Sequence, residues 1–307
     1  MMGAMMTRDE MRAGLAAVVA RLGPWRWHNI RLADDLYTIG ADAARLELRL
    51  KRFLRIVSDT VAKPLSQLRV LDLACCEGLY AIEFARQGAR VVGIEAREEH
   101  LAKVQFVKEA LGLGDLKVIE GDVRDLSRER HGEFDVVLCA GIFYHLDAPD
   151  VFRFAHSIAQ VCSRVAIFDT HVAAGPVESH EYNGTTYWGS EFIEHADDAT
   201  QDQRQGNPLA SLDNARSFWL TRPSLYNLLI DAGFASVMES HVPTTYDAEG
   251  RITIFALKGK PMPIYSIAPP LVDSHERWPE ALPPPPAAMS DRPFPARIAA
   301  GLRRLLP

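Results

Sequence analysis

Apolar positions along this chain recur in two rhythms, short continuous runs and longer stretches spaced by three and four. Val70, Leu71 and Leu73 form a run broken by Asp72 and ended by a tight turn. Tyr80, Ile82, Phe84 and Ala85 continue as a helix, and 90–95 is a second apolar run that ends on Glu95. The order strand, loop, helix, strand, with a carboxylate on each strand, predicts half of a doubly wound sheet. The rhythm continues downstream. A helix is predicted over 98–111, with Leu101, Val104, Phe106, Val107 and Leu111 periodic and Gly112 and Gly114 stopping it. Strands follow at 116–120, 134–139 and 165–169, separated by a helix over 150–161. Ahead of this unit, Met11, Leu15, Val18, Val19 and Leu22 mark a helix over 7–22. Leu46, Leu50, Phe53, Leu54 and Val57 mark another over 41–58, and Pro64 closes that element. A helix over 223–232, then alternating strands at 234–242 and 251–258 around a turn at 247–250, complete the pattern. The expected fold is α/β, a Rossmann-like sheet, mostly parallel with an antiparallel last strand.

Two stretches fall outside the rhythm. Residues 172–221 are rich in Gly, Tyr, His, Glu and Asn, too aromatic for a disordered segment and too long for a plain loop. They read as a lid over a substrate. Residues 259–307 carry PMPIYSIAPP, ALPPPPAAM and RPFPAR, which cannot build sheet, and end in the basic run ARIAAGLRRLL. The expected organisation is an N-terminal helical and aromatic cap over 1–62, a central domain over 63–258 and a proline-rich arm over 259–307. That arm is a candidate contact for a homodimer.

Composition narrows the class. The 307 residues are 48% hydrophobic, ordinary for a globular chain, and no apolar run reaches the ~18 residues that span a bilayer. No membrane partner is expected, and the start MMGAMMTRDEM lacks the order of a secretory signal. A net charge of −6 disfavours a broad nucleic-acid surface. The four cysteines have no metal-ligand spacing and read as reduced thiols of a cytoplasmic protein, with no metal site.

The loop at 72–78 speaks to the ligand. A pyrophosphate cofactor wants G-x-G-x-x-G so that bare backbone can approach it. Here the loop is Asp72-Leu73-Ala74-Cys75-Cys76-Glu77-Gly78, with one glycine and an added acid. Phosphate is disfavoured there, whereas S-adenosylmethionine (SAM) has an amino group and ribose hydroxyls that suit carboxylates. The stretch resembles the first motif of class I SAM-dependent methyltransferases, acid-x-G-x-G-x-G. Asp72 and Gly78 match it, while Ala74 and Cys76 stand where glycines are usual. The segment at 24–40, with its Trp-x-His-x-Ile-x-Leu and Tyr-Thr-x-Gly order, is similar to a subgroup that includes the tRNA wobble-uridine carboxymethyltransferase.

The resemblance implies SAM as cofactor, held by Asp72, Ala74, Cys75, Glu77, Gly78, Glu95, Ala96, Asp122, Val123, Cys139 and Tyr144. Glu95 would meet the ribose and Asp122 the adenine amino group, and Tyr144 could offer its ring to the sulfonium. His171, at the end of the fifth strand, is the first candidate base, with His145 and His180 as rivals. Trp27, His28 and Tyr37, with Trp188, Asn214, Trp219 and Arg222 of the lid, are candidate substrate contacts. The expected function is methyl transfer to an oxygen or nitrogen of a small molecule in specialised metabolism. The alternatives are an RNA-modifying transferase and a non-catalytic SAM-binding protein.

Overall fold

The computed structural model describes residues 4–41, 47–242, 250–260 and 277–280. Helix α1 (Arg8–Leu22) opens on a reciprocal cap between Thr7 and Glu10. A small hairpin, β1 (Arg31–Ala33) with β2 (Leu36–Tyr37), and helix α2 (Glu47–Thr60) follow. The central unit is β3 (Arg69–Leu73), α3 (Leu79–Arg86), β4 (Arg90–Glu95), α4 (Glu98–Ala110) and β5 (Leu116–Glu120). Then come the short α5 (Arg128–His131), β6 (Phe134–Ala140), α6 (Asp150–Val161) and β7 (Cys162–His171). The insertion supplies β8 (Glu178–Tyr182), β9 (Thr185–Ile193), α7 (Gln201–Gly206) and β10 (Arg216–Leu220). Helix α8 (Arg222–Asp231), β11 (Ser236–Glu239) and β12 (Arg251–Leu257) end the domain.

Seven strands form one sheet in the order β11-β12-β7-β6-β3-β4-β5. β5, β4, β3, β6 and β7 run parallel, and β12 is antiparallel to both β7 and β11. The strand order therefore reverses between β3 and β6, which opens a crevice at their carboxyl ends. Successive side chains sort to opposite faces, as a pleated strand requires. Val70, Val136, Leu138, Val165 and Ile167 join the core under α1 to α4, while Leu71, Val137, Cys139, Ala166 and Phe168 join the core with α6 and α8. Burial on both faces explains why these strands read as apolar runs.

The insertion is more ordered than its sequence suggested. β8, β9 and β10 make a separate antiparallel sheet. Asn183 (φ 50°) and Gly184 (φ 75°) form the two-residue turn between β8 and β9, a pair of left-handed positions that suits Asn-Gly. Its inner face is anchored by Tyr187 and Phe218, packed around Phe152 of α6.

Most of the arm at 259–307 and residues 247–249 of the turn lie outside the described residues, and with them the basic C-terminal run and the homodimer expectation. Within 277–280, Trp278 stacks on Tyr226 at 4.8 Å, and Glu280 accepts from Thr221 Oγ1 and Ser224 Oγ. Among the described residues no helix is long and apolar enough to cross a membrane.

Candidate active site

The crevice holds a cavity of ≈ 160 Å³ lined by the ends of β3, β4, β5 and β6 and roofed by 208–214 of the insertion. Ala74 (φ 50°) and Cys76 (φ 52°) both adopt the left-handed backbone that glycine favours. The turn after β3 thus keeps a glycine-type path with side chains present, at a cost of about 1–2 kcal/mol per residue. It is held there from outside, since Glu95 Oε2 accepts the Cys76 N–H at 2.8 Å. Glu95 Oε1 accepts the amides of Ala96 and Arg97 at 3.0 and 2.9 Å. Burial opposes the charge on Glu95, but His100 and these amide donors outweigh it and hold the carboxyl below its usual range. Asp122 lines the same cavity. Burial opposes its charge too, and the two-pronged bond from Arg124 keeps it low. Two ionised carboxylates in one cavity suit hydroxyl and amine donors and repel phosphate.

Beyond Gly141, which lines the cavity, lies a second cluster. A Cβ on Gly141 would stand 3.5 Å from Arg251 Nη2 and 3.9 Å from the Tyr144 hydroxyl. The Tyr144 ring meets His171 edge-on at 4.7 Å. His171 stacks on Trp219 at 4.9 Å, and Trp219 stacks on Phe192 at 4.4 Å. Behind this wall Asp169, fully buried, accepts from Arg251 Nε at 2.7 Å and from Thr253 Oγ1 at 2.9 Å, with Arg49 Nε 3.5 Å away. Burial first, and Arg251 second, push the His171 pKa down, which keeps its ring neutral at pH 7.

The roof is tied down by two arginines. Arg97 donates to the carbonyls of Gln205, Asn207 and Ala210, and Arg124 reaches Asp213 as well as Asp122.

Residues 70–164 match the methyltransferase-domain family. Over 102 residues the chain is 33% identical to the ubiquinone biosynthesis O-methyltransferase of Paracidovorax citrulli (strain AAC00-1), covering 33% of this chain and 40% of that protein. It is 27% identical over 146 residues to the tRNA U34 carboxymethyltransferase of Cellvibrio japonicus (strain Ueda107), 47% of this chain and 41% of the other. The chain thus spans about two-fifths of the length of these curated relatives. The N-terminal domain of EvdMO1, crystallised in the presence of S-adenosylhomocysteine (SAH) and D-fucose, superposes with a TM-score of 0.62 at 25% identity, over 83% of this chain and 98% of that one. The chain carries a class I SAM-dependent methyltransferase domain.

Within the methyltransferase domain, the residues expected at the cofactor divide. Ala74, Glu95, Ala96, Asp122 and Val123 share one cavity, which Cys76 also lines. Asp72 sits beneath it, 1% exposed, where it accepts the Ala81 N–H; burial pushes its pKa up to about 8. Cys75 and Cys139 are buried in the sheet layer rather than on the cavity wall, and all four cysteines are free. Gly78 is the left-handed cap of α3. Tyr144 lies past Gly141, bonded to Arg251.

Glu77 requires a correction, because its carboxylate faces the N-terminal segment. It accepts the backbone amides of Arg26, Trp27 and His28 and pairs with Lys103 Nζ at 3.2 Å, both side chains 1% exposed. His28 is likewise committed to the fold. It is buried, its Nδ1 accepts the Leu79 N–H at 3.2 Å, and burial lowers its pKa to about 4. Trp27 borders an adjoining cavity with Arg26 and His100, whereas Tyr37 pairs with Arg31 in the small hairpin, off both cavities.

In the insertion Asn214 lines the cavity that holds Glu95 and Asp122, and Trp219 belongs to the aromatic wall. Trp188 lies on β9 with its N–H on Ser224, and Arg222 pairs with Glu239 at the start of α8, away from the cavity. His145 lines the cavity, and His180 packs on Phe218, outside it. Arg97, Arg124, Glu194 and Arg251 were not anticipated. Each has a partner distant in sequence, which leaves no local signal, and Arg124 also pairs locally, with Asp122.

Proposed function

We propose that the protein transfers the methyl group of SAM to an oxygen or nitrogen of a small-molecule acceptor, a hydroxyl above all. One observation carries this reading: carboxylates Glu95 and Asp122 stand in a cavity that leads past Gly141 to the wall of Tyr144, His171 and Trp219. When bound, SAM supplies an activated methyl on a sulfonium centre. Glu95 would hold the ribose hydroxyls with the acceptor capacity that its three amide donors leave over. Asp122 would take the adenine amino group, and the turn at 74–78 would enclose the remainder. The aromatic wall of Tyr144, His171 and Trp219 would border the acceptor, and such orientation alone lowers a barrier by several kcal/mol. An acceptor hydroxyl must lose a proton near neutral pH, and the site offers two imidazoles for that task, His145 and His171, both against Tyr144.

The O-methyltransferase of P. citrulli and the EvdMO1 domain with D-fucose support a small hydroxylated acceptor. The likeness to the C. japonicus tRNA enzyme favours an RNA acceptor, and the net charge of −6 counts against it. A cytoplasmic setting and a role in specialised metabolism belong to the same proposal, and the free thiols suit the former.

The test supplies methyl-tritiated SAM with D-fucose, catechol or bulk tRNA as acceptor, alongside calorimetry with SAH. Binding of SAH and label in a small molecule are expected. Label in tRNA alone overturns the acceptor class, and no binding of SAH overturns the cofactor.

A further inference from the structure

The lid contributes a buried carboxylate at the edge of the cofactor cavity. Glu194, just past the end of β9, has a side chain only 1% exposed. Its oxygens lie 2.9 and 3.0 Å from His145 Nδ1. It also accepts the Ser217 hydroxyl at 2.8 Å and the Ser211 N–H at 2.9 Å. Burial opposes its charge, but the bonds from His145, Ser217 and Ser211 prevail and keep the carboxyl below its usual range.

An ionised carboxylate can only accept. The contact therefore requires the proton of a neutral His145 to sit on Nδ1, which leaves Nε2 with the free lone pair. The ring itself lines the cavity and touches Tyr144 at 4.3 Å. Among the described residues no carboxylate is hydrogen-bonded to His171, whose neighbours are the Trp219 face and the Tyr144 ring.

The insertion also fixes the backbone that carries the imidazole. Trp219 Nε1 donates to the Tyr144 carbonyl at 2.9 Å, Asn214 Nδ2 to the His145 carbonyl at 3.0 Å, and the Phe218 N–H to the Leu146 carbonyl at 2.8 Å. Three consecutive carbonyls of the turn after β6 are thus held by residues of one inserted segment.

We propose that His145 is the general base of methyl transfer and that Glu194 is its positioning residue, so that seating the lid assembles the base. In that step Nε2 takes the proton of the acceptor hydroxyl, the acceptor oxygen forms its bond to the methyl carbon, and the carbon–sulfur bond breaks with its electron pair going to sulfur. Lid and base are then one device: an unseated lid leaves the imidazole without its carboxylate and its turn without three donors. This inference rests on the methyltransferase reading above and sharpens it by ranking His145 over His171.

The test is the tautomer of His145 in the ¹⁵N-labelled, ligand-free full chain, read from long-range ¹⁵N–¹H correlations and assigned with His145→Gln. Wild type is expected to show a proton on Nδ1 of the neutral ring. In Glu194→Gln, the amide, already taking donors from Ser211 and Ser217, turns its NH₂ toward the ring, and the proton is expected on Nε2. A wild-type Nε2–H tautomer, or one that does not change in Glu194→Gln, overturns the proposal. Should Glu194→Gln not fold, the wild-type spectrum still decides. SAH calorimetry on wild type separates the two readings: lost SAH binding sinks the methyltransferase assignment, and a wrong tautomer with SAH binding intact sinks only the base.

Discussion

Two segments border the crevice at the strand ends, and they are fastened by opposite means. The N-terminal segment at 24–30 is held through backbone groups to a buried charge: three of its amides donate to Glu77, and its Pro24 carbonyl accepts from Lys103. The roof at 205–214 is held by arginine side chains that remain partly in solvent, with Arg124 30% exposed and Asp213 45%. A buried pair resists separation because each charge left alone has lost its water, whereas exposed pairs separate at small cost. The first segment is accordingly a wall and the second a door.

The comparison can be broken at the wall, where the largest effect is expected. Glu77→Ala leaves three amides without an acceptor and Lys103 with only Glu99 and the Pro24 carbonyl, and should cost about 3–5 kcal/mol of unfolding free energy, read as a lower urea midpoint at constant slope. A loss below about 1 kcal/mol would remove the distinction between the two segments.

Acid should attack the wall next. His28 is neutral in the fold, its pKa lowered to about 4 by burial, against about 6.5 when unfolded. The unfolded chain binds the extra proton between those values, so stability is full above pH 6.5 and falls as pH drops toward 4. The expected loss is about 3 kcal/mol, and the slope should flatten in His28→Gln. Urea midpoints measured across that window check the sign, and an unchanged slope in the variant would assign the acid sensitivity elsewhere.

The door gives the smallest effect on stability and a different readout. Arg97→Ala should shift unfolding by less than about 1 kcal/mol, yet speed SAH dissociation by about tenfold in stopped-flow displacement. Dissociation at the wild-type rate would mean that the roof does not retain the ligand.

The parallel strands were legible because burial on both faces forces apolar runs, as at 70–73 and 134–139. The acids picked out at two strand ends, Glu95 and Asp122, stand in one cavity. The lid sheet was not. β8 alternates half-buried and exposed residues, so no apolar rhythm marks it, although Asn183-Gly184 carried the hairpin signal. Glu77 misled because an acid in the loop has two neighbourhoods, and only the fold shows that Lys103 and the N-terminal amides claim it. Glu194 was invisible because its partner lies 49 residues away.

The two ends of the insertion meet. Ala173 bridges to Thr221, with its N–H on the Leu220 carbonyl at 2.9 Å. A segment that leaves and re-enters a domain at one point behaves as a replaceable cassette. Related chains could exchange it for another of different length and acquire new acceptors while β3 to β5, with the carboxylate of Glu95 at the cavity, stayed as they are.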